Sequence, residues 1–342
     1  MSKADRKIIF SPVTDYLFLI FPLWIPVLYI LSLWGFGSSI GIISFLFLFV
    51  IGESHFLGTL FFFTRDNRNY ILNRKMLFVV IPIILVVINS AVFFTFREWA
   101  LVLAAIFSGY HVTRQSVGVF KLYGKKNQSF ENAIYVASSI FLTIGFLKAS
   151  DKILIPFSGI QSMISEIRSL ILNSYLLYSI CILVILFLVG LTSKKGNELS
   201  KEAKILFFTG ALLYLPYVFA PPVVGAMIGV TVHWSQYLTL VTAISLRGKT
   251  FKPIIKKLTS VKFLSPLIVI VTFLIITAIA DYNKQVNLEL IDLLIFPLNF
   301  QLLHYYFDGL IWRGSDPYLR ENVFKKIFVV KSSDVNDQSS KL

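Results

Sequence analysis

Acidic residues are scarce in this 342-residue chain, with 18 aspartates and glutamates against 32 lysines and arginines and a formal net charge of +14. Charged residues of both signs make up only 15% of the sequence, against about a quarter in soluble domains, which excludes an ordinary soluble protein. With 56% hydrophobic residues the chain is not disordered either, because disordered chains are poor in apolar residues. A single cysteine, Cys181, excludes a disulfide scaffold. The alternation of apolar and polar residues that marks a transmembrane β-strand is also missing. Apolar residues instead run in long unbroken blocks, and the mean hydropathy is +0.76. What remains is an all-α, polytopic helical membrane protein. In a soluble chain the basic excess would suggest nucleic acid; here it is read first against a membrane.

A bilayer-spanning helix needs about 20 mostly apolar residues. Blocks of that kind give ten expected spans: Tyr16–Phe36, Ser39–Phe63, Met76–Phe96, Trp99–Phe120, Asn132–Leu147, Leu170–Thr192, Ile205–Ala220, Val223–Ser245, Phe263–Ala280 and Leu290–Trp312. The fifth and seventh are short. They make residues 1–312 a single transmembrane domain and leave 313–342 as a basic, polar cytoplasmic tail. Met1–Pro12 is basic, but the first apolar block is full length and has no small-residue cleavage site, so no cleavable signal is expected. The N-terminus, the tail and the loops after the even-numbered spans hold 26 of the 32 basic residues. The positive-inside rule then places both termini in the cytoplasm, in an integral protein of a bacterial inner (cytoplasmic) membrane. The charge reads as orientation and contact with anionic lipid, and nucleic acid is dropped as a partner. An interfacial helix is expected between Ser150 and Arg168, and Val323–Val330, with Lys325 and Lys326, reads as a basic stretch on the membrane. No internal repeat is visible.

Four histidines stand out against this apolar background: His55, His111, His233 and His304. They fall on spans 2, 4, 8 and 10, which all run in the same direction. The next basic residue towards the cytoplasm is Arg65, Lys121, Arg247 and Arg313 respectively. Those separations put all four histidines roughly 14 to 21 Å above the boundary charges, at 1.5 Å per residue. They therefore share one layer of the inner half of the membrane. A single intramembrane histidine can act as hydrogen-bonding glue between helices. Four at one depth point to a shared site, and ionisable residues within a bilayer mark function by default.

The neighbouring residues extend the pattern, because positions three and four apart share a helix face. His304 is followed by Asp308, His111 by Arg114 and Gln115, His233 by Gln236 and Tyr237, and His55 by Thr59. Metal-bound histidines usually donate their second ring N–H to a carboxylate, carbonyl or water, so Asp308 orients a ligand or is itself one. Glu53 lies about 200° around the helix from His55, so both cannot face one metal on a regular helix. Asp308, Glu53 and Arg114 are candidate catalytic groups, and Gln115, Gln236 and Tyr237 candidate contacts to the cofactor. Arg114 needs a counter-charge in the membrane: Asp308, Glu53 or an anionic head group. Gly225 and Gly229 precede His233 at intervals of four, as close helix packing or as a slot for an elongated substrate. Aromatics that flank the histidines, such as Tyr110, Trp234, Tyr305 and Tyr306, are belt residues or line an apolar pocket.

Imidazoles with an optional carboxylate and no sulfur suit iron, copper, zinc or nickel. Three chemistries compete: a non-haem Fe(II) oxygenase acting with O₂ on a hydrophobic substrate, a haem b electron-transfer protein, and a divalent-metal transporter using His304 and Asp308. Two haems stacked across the membrane would need ligands at two depths, against the single layer. Paired broken helices and inverted repeats of the transporter kind are not visible. A structural or assembly protein is a fourth reading. Helix residues Leu303–Arg313 (LHYYFDGLIWR) resemble the terminal histidine–aspartate helix of the Brp/Blh membrane family of β-carotene 15,15′-dioxygenases. The resemblance covers short stretches. It implies a polytopic fold, a non-haem iron held by His304, and a polyene or other lipid substrate; the shared layer adds His55, His111 and His233 as further ligands. The chain has no closely spaced histidine pair and no N-terminal histidine motif, and it lacks the histidine boxes of membrane fatty-acid desaturases.

Overall fold

The computed structural model describes residues 8–36, 40–56, 67–124, 127–149, 158–247 and 291–327, together with residue 275. All regular structure among them is helical, as apolar blocks without period-two alternation dictate. In chain order come α1 (Pro12–Ile20), α2 (Trp24–Phe36), α3 (Ile40–Phe47), α4 (Arg68–Leu72), α5 (Met76–Thr95), α6 (Arg97–Tyr123) and α7 (Gln128–Ala149). They are followed by α8 (Ser158–Ile171), α9 (Ser174–Lys195), α10 (Lys201–Ala211), α11 (Leu215–Phe219), α12 (Pro222–Arg247), α13 (Ile295–Ile311) and α14 (Pro317–Asn322). Helix α3 runs on through the wide turns of Leu48–Glu53. Among the described residues four stretches are long and apolar enough to cross a membrane: Met76–Thr95, Gln128–Lys148, Ser174–Glu198 and Lys201–Phe219. A bent pair, α1 with α2, makes a fifth.

Two expected spans are broken. Between α1 and α2 the axis bends by 62° at Pro22, which has no N–H to donate and drives Phe21 out of the helical region (φ −135°, ψ 63°). Side chains of α12 take up carbonyls at the end of α1: Ser235 Oγ donates to Phe18 at 2.8 Å and Gln236 Nε2 to Leu19 at 2.9 Å. The second break separates α10 from α11, just ahead of Pro216. Lys148 Nζ, at the end of α7, donates to the carbonyls of Val218 and Ala220 at 3.2 and 2.8 Å. The short expected span Asn132–Leu147 lies within a helix of 22 residues, and the expected interfacial segment is helical from Ser158 to Ile171. The expected span at 263–280 (apart from residue 275), Thr59 and residues 328–342 lie outside the described residues.

Helix α12 occupies the centre. Thr231, Val232, His233, Trp234, Tyr237, Leu240 and Ala243 are buried around its whole circumference, as in a core helix. It packs against α1, α2, the turns after α3, α6, α7 and α11. Helix α13 packs against α5 and α6, and Asn299 ties it to α5 by hydrogen bonds with Asn89 (2.7 Å) and Ser90 (3.0 Å). Outward faces are apolar, with Ile83, Val87 and Ile88 of α5 and Leu183, Leu186 and Phe187 of α9 exposed.

The first part of the expected tail is docked on the bundle. Leu319 and Val323 join a buried cluster with Phe78, Phe307 and Ile311, and Ile327 shares a core with Ile9. Asp316 accepts a hydrogen bond from Tyr70 Oη at 2.9 Å and sits 3.4 Å from Arg74, while Tyr70 stacks on Tyr318. Burial, then the bond to Asp316, pushes the Tyr70 phenol up to about 12. Burial alone would raise the Asp316 carboxyl, but the Leu319 amide, the Tyr70 hydroxyl and the Arg74 guanidinium hold it below its ordinary value. Arg247, at the end of α12, donates to the carbonyls of both Ile9 and Ile327.

Candidate metal centre

The four histidines meet. His111, His233 and His304 project from α6, α12 and α13, and His55 follows the wide turns that extend α3. All are buried. The His55 ring centroid lies 4.4 Å from that of His304 and 4.8 Å from that of His233. His111 is 4.9 Å from His304 and 5.7 Å from His233. Gly52 permits this approach: a methyl group there would lie 2.9 Å from the Trp234 ring of α12. One turn of the chain beyond that contact brings His55 against His233.

Asp308 joins the cluster from α13. Its Oδ2 is 3.6 Å from Nε2 of both His111 and His304, and its Oδ1 accepts a hydrogen bond from Tyr237 Oη at 2.7 Å. Tyr237 also lays its ring 4.3 Å from that of His55, so one residue orients the carboxylate and packs a histidine. Tyr305 stacks on His111 at 4.3 Å. Donor atoms of His55, His111 and His233 form one set that can hold a metal, and those of His111, His304 and Asp308 another; within each set they lie within 4.8 Å of one another. His111 belongs to both. Donors on one ion bound at about 2.0–2.2 Å lie at most about 4.4 Å apart, so a pair near the 4.8 Å limit would have to draw together to share an ion. Nδ1 of His55 and Nε2 of His111 are buried without a hydrogen-bond partner among the described residues, an expensive condition for an imidazole nitrogen that a cation would relieve.

Two cavities border the cluster. The smaller, about 140 Å³, is lined by His55, His111, His233, Ser108, Ala226 and Gln301, among others. The larger, about 530 Å³, reaches His111 and Asp308 and extends along α6 and α13 past Arg114 and Gln115 to Lys121.

The remaining expected site residues are spread around this centre. Gln236 does not face the cofactor position, because its amide is committed to the Leu19 carbonyl at the α1–α2 break. Glu53 is buried but contributes to neither donor set. Arg114 does not pair with Asp308 or Glu53; its exposed side chain lines the larger cavity. Gln115 lines the same cavity, and both its amide atoms are buried without a hydrogen-bond partner. Gly225 and Gly229 form no slot: a methyl group on either would lie 2.9 and 2.8 Å from the carbonyl oxygens of Pro216 and Leu213, so they are close-packing positions. Sequence spacing did not single out Ser108 and Gln301, which line the small cavity, or the open space beside Gly118 and Gly309. No run of polar residues marks any of them. Comparison with protein-family models, curated proteins and solved structures found no match for this chain.

Proposed function

We propose that this protein is an intramembrane metal-dependent oxidoreductase that acts on a lipophilic substrate. The carrying observation is the convergence of His55, His111, His233, His304 and Asp308 beside a cavity of about 530 Å³, a size within the roughly 300–1,000 Å³ of small-molecule sites. Non-haem iron is the metal favoured. His111, His304 and Asp308 have the two-histidine, one-carboxylate composition of Fe(II) oxygenase sites, and the resemblance of Leu303–Arg313 to the β-carotene dioxygenase helix points the same way. When bound there, iron would supply redox chemistry with O₂ as the oxidant, for oxidation or cleavage of a hydrophobic molecule. The chain's own part is to hold the ion with these donors, fix Asp308 through Tyr237, and exclude bulk water by burial. Haem b suits the arrangement less well, since a porphyrin needs an open slab between its axial ligands and the histidine rings here touch one another.

The ten-span topology with both termini in the cytoplasm belongs to the same proposal, in the inner membrane of a bacterium. It rests on the segregation of 26 of 32 basic residues, and the outward apolar faces of α5 and α9 support it. The test is metal analysis with a visible spectrum of purified protein. Iron at about one per chain without a Soret band is expected. No metal in the wild type would overturn the reading, a Soret band would move it to haem, and metal uptake into proteoliposomes would favour a transporter.

A further inference from the structure

Basic side chains in the described part of the molecule mostly have visible partners. Arg74 meets Asp316, Arg97 meets Asp292, and Lys121 meets Glu131 at 2.7 Å. Lys148 and Arg247 donate to backbone carbonyls. Arg114 differs. It lies mid-helix on α6, one turn from His111, and has no ion-pair or hydrogen-bond partner among the described residues. Beside it the buried amide of Gln115 is equally unpartnered. Both line the larger cavity, so a fixed positive charge and an unused amide face one space that is open to the outside at Arg114.

The space itself is kept open by two glycines. Gly118 and Gly309 border the cavity, and a methyl group on either would meet nothing within 4 Å. Close packing is therefore not what these glycines provide, in contrast to Gly225 and Gly229. Beyond His111 the walls carry no charge, with Leu85, Phe107 and Leu302, whereas on the other side Arg114 and Gln115 stand among apolar residues such as Val117 and Leu122. A charged end and an apolar end, with Asp308 and His111 between them, match an amphiphile.

We infer that the larger cavity binds a long-chain amphiphile whose anionic head group, carboxylate or phosphate, is held by Arg114 and Gln115, with its chain passing His111 and Asp308 towards Leu85 and Leu302. This deepens the proposed function by naming the substrate class of the same site, and it rests on that reading. An anion beside Arg114 would supply the counter-charge that an arginine within a bilayer requires, and a charged hydrogen bond from a guanidinium is among the stronger polar contacts.

Binding of radiolabelled palmitate, palmitoyl-lysophosphatidylglycerol and uncharged hexadecanol to the purified full chain tests the inference. Wild type is expected to hold at least one anionic probe about tenfold more tightly than hexadecanol, or about 1.4 kcal/mol. Arg114→Gln should abolish that preference and leave hexadecanol binding unchanged, while Arg114→Lys retains part of it. Gly118→Leu, which fills the cavity and keeps the arginine, should weaken all three probes. Preference for palmitate identifies a carboxylate, and preference for the lysophospholipid identifies a phosphate head group; either supports the inference. Equal binding of all probes, or a preference that survives Arg114→Gln, overturns it. If Arg114→Gln fails to fold, undiminished binding of the anionic probes by Gly118→Leu overturns it instead. Metal content measured on the same samples separates the two proposals: a metal-free wild type defeats the proposed chemistry, whereas normal metal without anion preference defeats only the head-group assignment.

Discussion

The two cavities at the histidine cluster share His111 and Tyr305 as walls and are otherwise opposites. The small one is bordered by three of the four histidines, by the uncharged polar residues Ser108 and Gln301, and by apolar residues such as Leu48, Phe56 and Met227. At about 140 Å³ it has room for a few waters, each taking about 30 Å³ in the liquid, and none for a chain molecule. The large one touches only His111 and Asp308 of the cluster but carries Arg114, Gln115 and a long apolar wall. The cluster is therefore one-sided: of these two cavities, only the one along α6 and α13 has room for a chain molecule.

The largest expected effect comes from removing a donor common to neither cavity wall. His304→Ala should take bound metal from about one per chain to none, since the proposed set built on Asp308 then loses an imidazole; elemental analysis checks it, and unchanged metal sinks the centre. Next, the two cavities should respond differently to filling. Ala226→Leu, in the cavity wall that includes His55 and His233, should lower metal affinity about 5- to 150-fold, from the roughly 1–3 kcal/mol that overpacking costs. Gly118→Leu should leave metal content at the wild-type level. Equal behaviour of the two variants would erase the contrast between the cavities. A smaller effect on the centre is expected at Gly225, which lines neither cavity. Gly225→Ala places a methyl 2.9 Å from the backbone of Pro216 and Tyr217 and should cost about 1–3 kcal/mol of stability, read as a lowered Tm with metal stoichiometry intact.

The smallest concerns the docked tail, whose charges lie away from the centre. The Asp316 carboxyl is held below its ordinary value, so it stabilises docking above the ordinary carboxylate range and loses that contribution as pH falls through its own lowered value. Trp312, whose ring lies 6.0 Å from that of Phe324, should report an acid transition in fluorescence that Asp316→Asn lacks. Persistence of that transition in the variant would remove the carboxyl from the account.

Helical content and the histidine layer were legible in the sequence because each depends on spacing along one helix. A common depth inferred from spacing was enough to expect His55, His111, His233 and His304 together, and they meet. Asp308 was legible by the same logic, at one turn from His304. The spacing rule failed at Gln236, where the right face of α12 was overruled by the unsatisfied carbonyl of Leu19 at a break. Pro22 and Pro216 carry the only local signal of the two breaks, and hydropathy windows average across it. The partner of Arg114 was left open in the sequence, because which acidic side chain turns towards it is a matter of packing between helices. The alternative readings of Gly225 and Gly229 were separated only by the carbonyl oxygens that face them.

The clasp made by Arg247 bears on biogenesis. Its guanidinium holds Ile9 and Ile327 at once, two residues separated by almost the whole described chain. During synthesis from the N-terminus the first of these waits without its neighbour until the second has been made. The shared contact can therefore form only once Ile327 has been made, and cutting the chain before Ile327 should loosen the segment before α1 as well as the one after α14.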